Sequence, residues 1–394
     1  MTSVVCKGFR AAGVKAGIKE SGQRDLGLIY SVKPAAVAGV FTRNFVKAPS
    51  VWIDMERIRL GWCRSVIVNS GNANCCNGSL GMADAERMTA LLAESMGFRS
   101  EEVLVASTGV IGKPMPIQKV AAAIPALTAE CREDGFEDFS QAIMTTDTVP
   151  KLISRHGEID GVPFTLLAAA KGAGMIRPDM ATMLCFVCTD AEAEPCFLQT
   201  ALKTAVDRSL NRISIDGDTS TNDTALLMAN GASGARILTE AHQGLFQALL
   251  DDLLIQVAKD LVRDGEGVTK LVEVVVRGAK DMQDAKKIAD TIAHSPLVKT
   301  AMFGEDANWG RIVAAAGRAG VPIVLEKMSV SFDDVRVFEN GMGVQGDIDA
   351  KATSVLKKPA YTIYVDLCLG DSHYSIITCD FSIDYVKINA DYRT

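Results

Sequence analysis

The chain has 394 residues, 48% hydrophobic and 23% charged, a length that predicts two lobes with ample core. This composition excludes disordered, collagen-like and coiled-coil proteins. A net charge of −7 without a basic block argues against nucleic-acid or anionic-membrane binding, and no apolar run reaches the roughly 18 residues of a membrane span. The first eight residues lack a secretory apolar stretch and an Arg-rich transit pattern. The ten cysteines are scattered, which reads as reduced thiols in a cytoplasmic protein.

In chain order, short apolar runs edged by turn residues predict strands over 65–69, 103–106, 165–170 and 183–187. Others follow over 224–228, 272–276 and 361–369. Helical spacing puts Leu198, Leu202, Ala205 and Val206 on one face. It does the same for Phe246, Leu249, Leu250, Leu253, Val257 and Leu261 before Gly265 stops the pattern. A third helix carries Ile288, Ala289 and Ile292. Several strands lack a crossover helix between them, so the expected class is α/β of the α+β type, with mixed sheets rather than one doubly wound parallel sheet. Between the strands at 165–170 and 183–187 lies a turn running from Lys171 to Thr182. Gly172 and Gly174 allow positive φ there, Pro178 adds a second turn, and Lys171 and Thr182 sit at the two strand ends.

Familiar motifs fail on residue type. A GxGxxG starting at Gly172 has Arg177 as its third glycine position. The acidic loop from Asp216 has Thr221 and Leu227 where a calcium loop needs Gly and Glu. Cys185 and Cys188 lie three apart in a strand and point to opposite faces, and the adjacent Cys75 and Cys76 make a poor metal pair. No metal is expected. The four histidines have no ligand spacing, and none adjoins a plausible nucleophile in sequence. An acyl-transfer enzyme would then need another base. A Thr at a chain N-terminus supplies one: its hydroxyl attacks while its own α-amine, titrating near about 7.7–8, takes the proton. Thr182, after the small Ala181, would gain such an amine if the chain were cut before it. On its own, a Thr at a strand start is ordinary structure.

Its neighbours point further. The segment from Lys171 through Pro178-Asp179-Met180-Ala181-Thr182 to Leu184 resembles the cleavage segment of the glutamate N-acetyltransferase (ornithine acetyltransferase) family of arginine biosynthesis. The likeness runs in register through Ser70-Gly71-Asn72-Ala73-Asn74, Ala106-Ser107-Thr108-Gly109-Val110-Ile111-Gly112 and Ala142 to Thr148. It continues through Asp216 to Thr224, Asp264 to Gly267, Phe303 to Arg311 and the ending Ile388 to Thr394. Departures are the 75–76 cysteine pair and Ala307 in place of Pro.

The resemblance implies a layered α/β sandwich. It also implies self-cleavage between Ala181 and Thr182, giving an α chain (1–181) and a β chain (182–394) in an α2β2 assembly. Thr182 would carry acetyl from N2-acetylornithine to glutamate, with Thr108 and Gly109 as oxyanion donors. Substrate contacts would fall on Thr145, Lys171, Thr182, Glu266, Asn389 and Thr394. No cofactor is implied; acetyl-CoA enters part of the family as a second acetyl donor. Read from turn chemistry alone, Thr108-Gly109 is a strand-end turn, Lys171 a solvated strand-end cation and Glu266 a solvated turn. Two other classes stay open: an N-terminal-nucleophile amidohydrolase or aminopeptidase, in which water ends the acyl-enzyme, and a thiol or metal-binding protein built on the Cys185–Cys188 pair.

Overall fold

The computed structural model describes residues 4–177 and 183–390. It divides into two compact units, Met1–Asn211 with Asp218–Leu261, and Arg212–Gly217 with Val262–Thr394. The proposed cleavage point is thus not the boundary between units: strands from both sides of residue 182 share the first unit.

In the first unit the strands are β1 (Phe9–Val14), β2 (Leu26–Phe41), β3 (Trp62–Asn72), β4 (Val103–Val110), β5 (Lys151–Ile159), β6 (Val162–Lys171), β7 (Leu184–Thr189) and β8 (Thr224–Ala229). Among the described residues they form one sheet in the order β4-β3-β2-β8-β7-β6-β5, with β1 paired to β2. The β3–β4 and β7–β8 pairs are parallel and the other pairs antiparallel, so the sheet is mixed as expected. Strand side chains alternate faces, and here both faces are apolar. Val66, Val68, Leu104 and Ala106 pack with Phe136 and Phe139 on one face. Ile67, Val103 and Val105 pack with Met88, Leu92, Val120 and Ile124 on the other. The first set meets helix α4 (Phe136–Ile143), and the second meets α2 (Gly78–Met96) and α3 (Ile117–Ala129); α1 (Pro49–Arg57) precedes them. The first face also packs with Leu167 and Ala169 of β6, Phe186 of β7 and Leu226 of β8, so both faces are buried and the strands are nearly continuously apolar.

Two further helices match the expected spacing, α5 (Pro195–Arg208) and α6 (Glu240–Arg263). Helix α5 buries Leu198, Leu202, Ala205 and Val206, and α6 ends at Arg263, two residues before Gly265. Phe246 of α6 stacks on Phe164 of β6 with ring centroids 6.1 Å apart.

The second unit holds β9 (Leu271–Ala279), β10 (Ser329–Phe332), β11 (Val335–Glu339), β12 (Met342–Gly343), β13 (Ala360–Asp366) and β14 (Ser372–Cys379). Among the described residues they order as β12-β11-β10-β13-β9-β14, with only β13–β9 parallel. Its helices are α7 (Met282–Ala293), α8 (Pro296–Phe303), α9 (Trp309–Gly317), α10 (Ile348–Leu356) and α11 (Ile383–Ala390). Val272, Val274 and Val276 of β9 bury against Ala285, Ile288, Ala289 and Ile292 of α7. No helix among the described residues is long and apolar enough to cross a membrane.

Local differences from expectation have local causes. The strand expected over 361–369 stops at Asp366, and the chain turns through Cys368 at φ 49°. Strand β7 begins at Leu184, one residue later than expected. In the turn after β6, Gly172 takes φ 150°, and the second left-handed residue is Met175 at φ 56° where Gly174 was expected.

Candidate active site

Thr108 and Gly109 lie inside β4 rather than in a turn beyond its end. The register pairs Ser70 with Thr108 and Gly71 with Gly109. Gly109 takes φ 130°, and a Cβ there would come within 2.4 Å of the Gly71 carbonyl carbon. Only glycine allows the two backbones this approach.

Lys171, the last residue of β6, is 2% exposed and is no solvated cation. Its Nζ donates to Thr108 Oγ1 at 3.1 Å. A hydroxyl has one donor and two lone pairs, so an ammonium on a lone pair leaves the O–H to donate elsewhere. Two other sequence-distant groups complete this corner. Asp147, 8% exposed, accepts Lys151 Nζ and Gly172 N–H through Oδ1, each at 2.7 Å. Its Oδ2 accepts the N–H of Thr145 at 3.0 Å. Burial pushes the Asp147 carboxyl up, but Lys171, Lys151 and the Gly172 N–H pull it down to about 2. Asp147 therefore stays ionised, ties the Thr145 loop to the end of β6, and balances two buried cations. Lys19, near Gly71, is driven the other way: burial lowers its ammonium to about 8, Asp25 opposes that, and Lys171 adds to it. Of the residues expected in this unit, the structure thus brings Thr108, Gly109, Thr145 and Lys171 into one hydrogen-bonded and ionic corner. Ala181 and Thr182 lie outside the described residues.

In the second unit, Glu266 is 8% exposed and accepts Asn389 Nδ2 at 2.8 Å through Oε2. Asn389 belongs to α11, whose start is held by Ser382 Oγ donating to the Gly267 carbonyl at 2.6 Å. Gly267 at φ 67° permits this contact, since a Cβ would meet Tyr385 N at 2.5 Å. Glu266 is thus a buried, partnered carboxylate rather than a solvated turn. Thr394 lies outside the described residues.

Sequence reasoning missed the roles of Asp147, Lys151 and Lys19. Asp147 stood within a quoted motif, but its charge balance depends on residues from β5 and β6. Lys19 carried no local signal.

Comparison with known proteins places the chain among named relatives. An arginine biosynthesis bifunctional protein ArgJ of Geobacter sulfurreducens is 52% identical over 390 residues, covering 98% of this chain and 99% of that one. A protein of the same description from Syntrophotalea carbinolica is 48% identical over 393 residues, with 99% and 100% covered. Among solved structures, an arginine biosynthesis bifunctional protein ArgJ of Bacillus halodurans is 39% identical with a TM-score of 0.51, over 53% of this chain and 99% of that one. These relatives define the class, an acyltransferase of arginine biosynthesis. The ArgJ family model matches residues 10–394. The chain belongs to the ArgJ family.

Proposed function

We propose that the protein moves acetyl from N2-acetylornithine to glutamate through an acetyl ester on Thr182. The observation that carries this reading is the buried Lys171–Thr108 contact at 3.1 Å beside Gly109. An acyl transfer passes through tetrahedral oxyanions and needs preorganised donors in a water-poor place. A cation-backed hydroxyl and a glycine N–H free of Cβ crowding are such donors.

The steps balance as follows. Thr182 Oγ attacks the Ala181 carbonyl, its proton passes to the leaving nitrogen, and water hydrolyses the resulting ester. Chains 1–181 and 182–394 result, with a new α-amine on Thr182. That amine takes the Thr182 hydroxyl proton as Oγ attacks the acetyl carbon of N-acetylornithine, and returns it to the departing ornithine nitrogen. The glutamate amine then attacks the acetyl ester and regenerates Thr182. Glu266 and Asn389 serve as polar substrate contacts, and so does Thr394. Acetyl-CoA, where used, is an alternative acetyl donor at the same nucleophile, and no cofactor takes part. The assembly is α2β2, in the cytoplasm.

The test is intact mass with and without N-acetylornithine. Wild type is expected as two fragments, with the 182–394 chain heavier by one acetyl group at its first residue after donor alone. Thr182→Ala is expected as one 42.0 kDa chain that never acetylates. Cleavage of Thr182→Ala at the same bond would overturn the role of the hydroxyl. Intersecting rather than parallel double-reciprocal lines, with no acetylated chain, would overturn the covalent route.

A further inference from the structure

The loop entering β8 makes two sets of contacts that the reaction above leaves unused. Asn222 is 5% exposed, and its Nδ2 donates to the Ser107 carbonyl at 2.8 Å and to the Ala73 carbonyl at 2.7 Å. Ser107 directly precedes Thr108, and Ala73 directly follows β3. The Asn222 side chain is itself oriented, because its Oδ1 accepts the Thr221 hydroxyl at 2.5 Å. The next residue, Asp223, is 1% exposed, and its Oδ1 accepts the N–H of Met183 at 2.9 Å. That N–H belongs to the amide joining residue 182 to residue 183. The Met183 carbonyl in turn accepts Thr224 N–H at 3.2 Å. Two consecutive side chains thus hold the residue before the donor hydroxyl and the residue after the nucleophile.

The Asp223 carboxyl that accepts the Met183 N–H is itself buried. Burial pushes this carboxyl well above its usual range, against the Met183 N–H, the charge of Lys171 and the hydroxyls of Ser220 and Thr42.

We propose that Asn222 and Asp223 act as one positioning device, setting the start of β7 in register with the donor end of β4. This rests on the reading of Thr182 as nucleophile and Thr108 as donor. Its effect is on geometry. A misplacement of about 1 Å between reacting groups can cost about 10²-fold in rate while leaving substrate contacts intact.

The experiment compares Asp223→Ala, Asp223→Asn and Asn222→Ala with wild type by intact mass, melting temperature and steady-state kinetics on N-acetylornithine and glutamate. Wild type that neither splits nor carries acetyl refutes the underlying reading and needs no variant to do so. Given an active wild type, Asp223→Ala is expected to cleave slowly and, once cleaved, to lose about 10²-fold in kcat with KM within about threefold. Asp223→Asn keeps an acceptor for Met183 N–H and is expected to recover to within about tenfold of wild type. Asn222→Ala is expected to lower kcat by a similar factor to Asp223→Ala, again with KM kept. Wild-type kcat in either alanine variant overturns the proposal. So does a folded Asp223→Asn as slow as Asp223→Ala, because the charge and not the held N–H would then matter. If Asp223→Ala does not fold, a folded Asp223→Asn more than about 10²-fold slower than wild type overturns it equally.

Discussion

Thr108 shares its hydroxyl oxygen with the Lys171 ammonium at 3.1 Å, and that contact decides which way the hydroxyl can donate. Removing one oxyanion donor typically costs about 10²–10³ in kcat. We predict that Thr108→Ala loses about that factor with a smaller change in KM, while Thr108→Ser, which keeps the oxygen, stays within about tenfold. Steady-state kinetics on fully cleaved protein checks both, and an unchanged kcat in Thr108→Ala would remove this hydroxyl from the donor set. Lys171 and Thr108 stand 63 positions apart in sequence. The motif around each was readable, but their contact was not, because it joins β4 and β6, which four other strands separate in the sheet order.

The pairing of β3 with β4 carries Thr108 and Gly109, the proposed donors. At its end, Gly71 faces Gly109 with no room for a Cβ on Gly109, whose φ of 130° also disfavours any L side chain. We predict that Gly109→Ala separates the strand ends and destabilises the fold by about 2 kcal/mol or more, from backbone strain and overpacking together. A denaturant midpoint equal to wild type would contradict this. The strand itself was legible from its apolar run, although its end was placed four residues early: Ser107 and Thr108 continue β4 as buried polar residues. The long strand β2 had no clear signal, since Lys33-Pro34 interrupts it and its register against β3 shifts between Tyr30 and Ala35.

At the scale of the molecule, buried charge links stability to pH. Asp147 is held at about 2 in the folded protein, below the roughly 3.9 of an unfolded aspartate. A depressed carboxylate stabilises the fold fully above its unfolded value and loses that contribution as pH falls through its folded value. The window therefore runs from about pH 4 down to about pH 2, and the contribution above it is of the order of 2 kcal/mol. We predict that the stability gap between wild type and Asp147→Asn is constant from neutral pH to about pH 5 and narrows below about pH 4. Denaturant unfolding across that range measures it; a gap independent of pH down to about 2 would show that Asp147 is not held ionised by its cations.

Local sequence determined what depends on local chemistry. Apolar periodicity located α5, α6 and α7 and the cores of β3, β4, β6 to β9 and β13, because a residue's burial follows from its place in a repeat. Motif order along the chain was enough to recognise the family, which the ArgJ match over residues 10–394 bears out. Tertiary structure alone decided which charges are buried and what they meet. On turn chemistry alone Lys171 is a solvated strand-end cation and Glu266 a solvated turn, yet the first is buried against Thr108, and the helix carrying Asn389 meets the second. It also decided that a single dipeptide, Asn222-Asp223, reaches both Ser107 and Met183. The physical reason is common to these cases. A hydrogen bond or ion pair between residues far apart in sequence exists only once the sheet order is set, and no local pattern encodes that order.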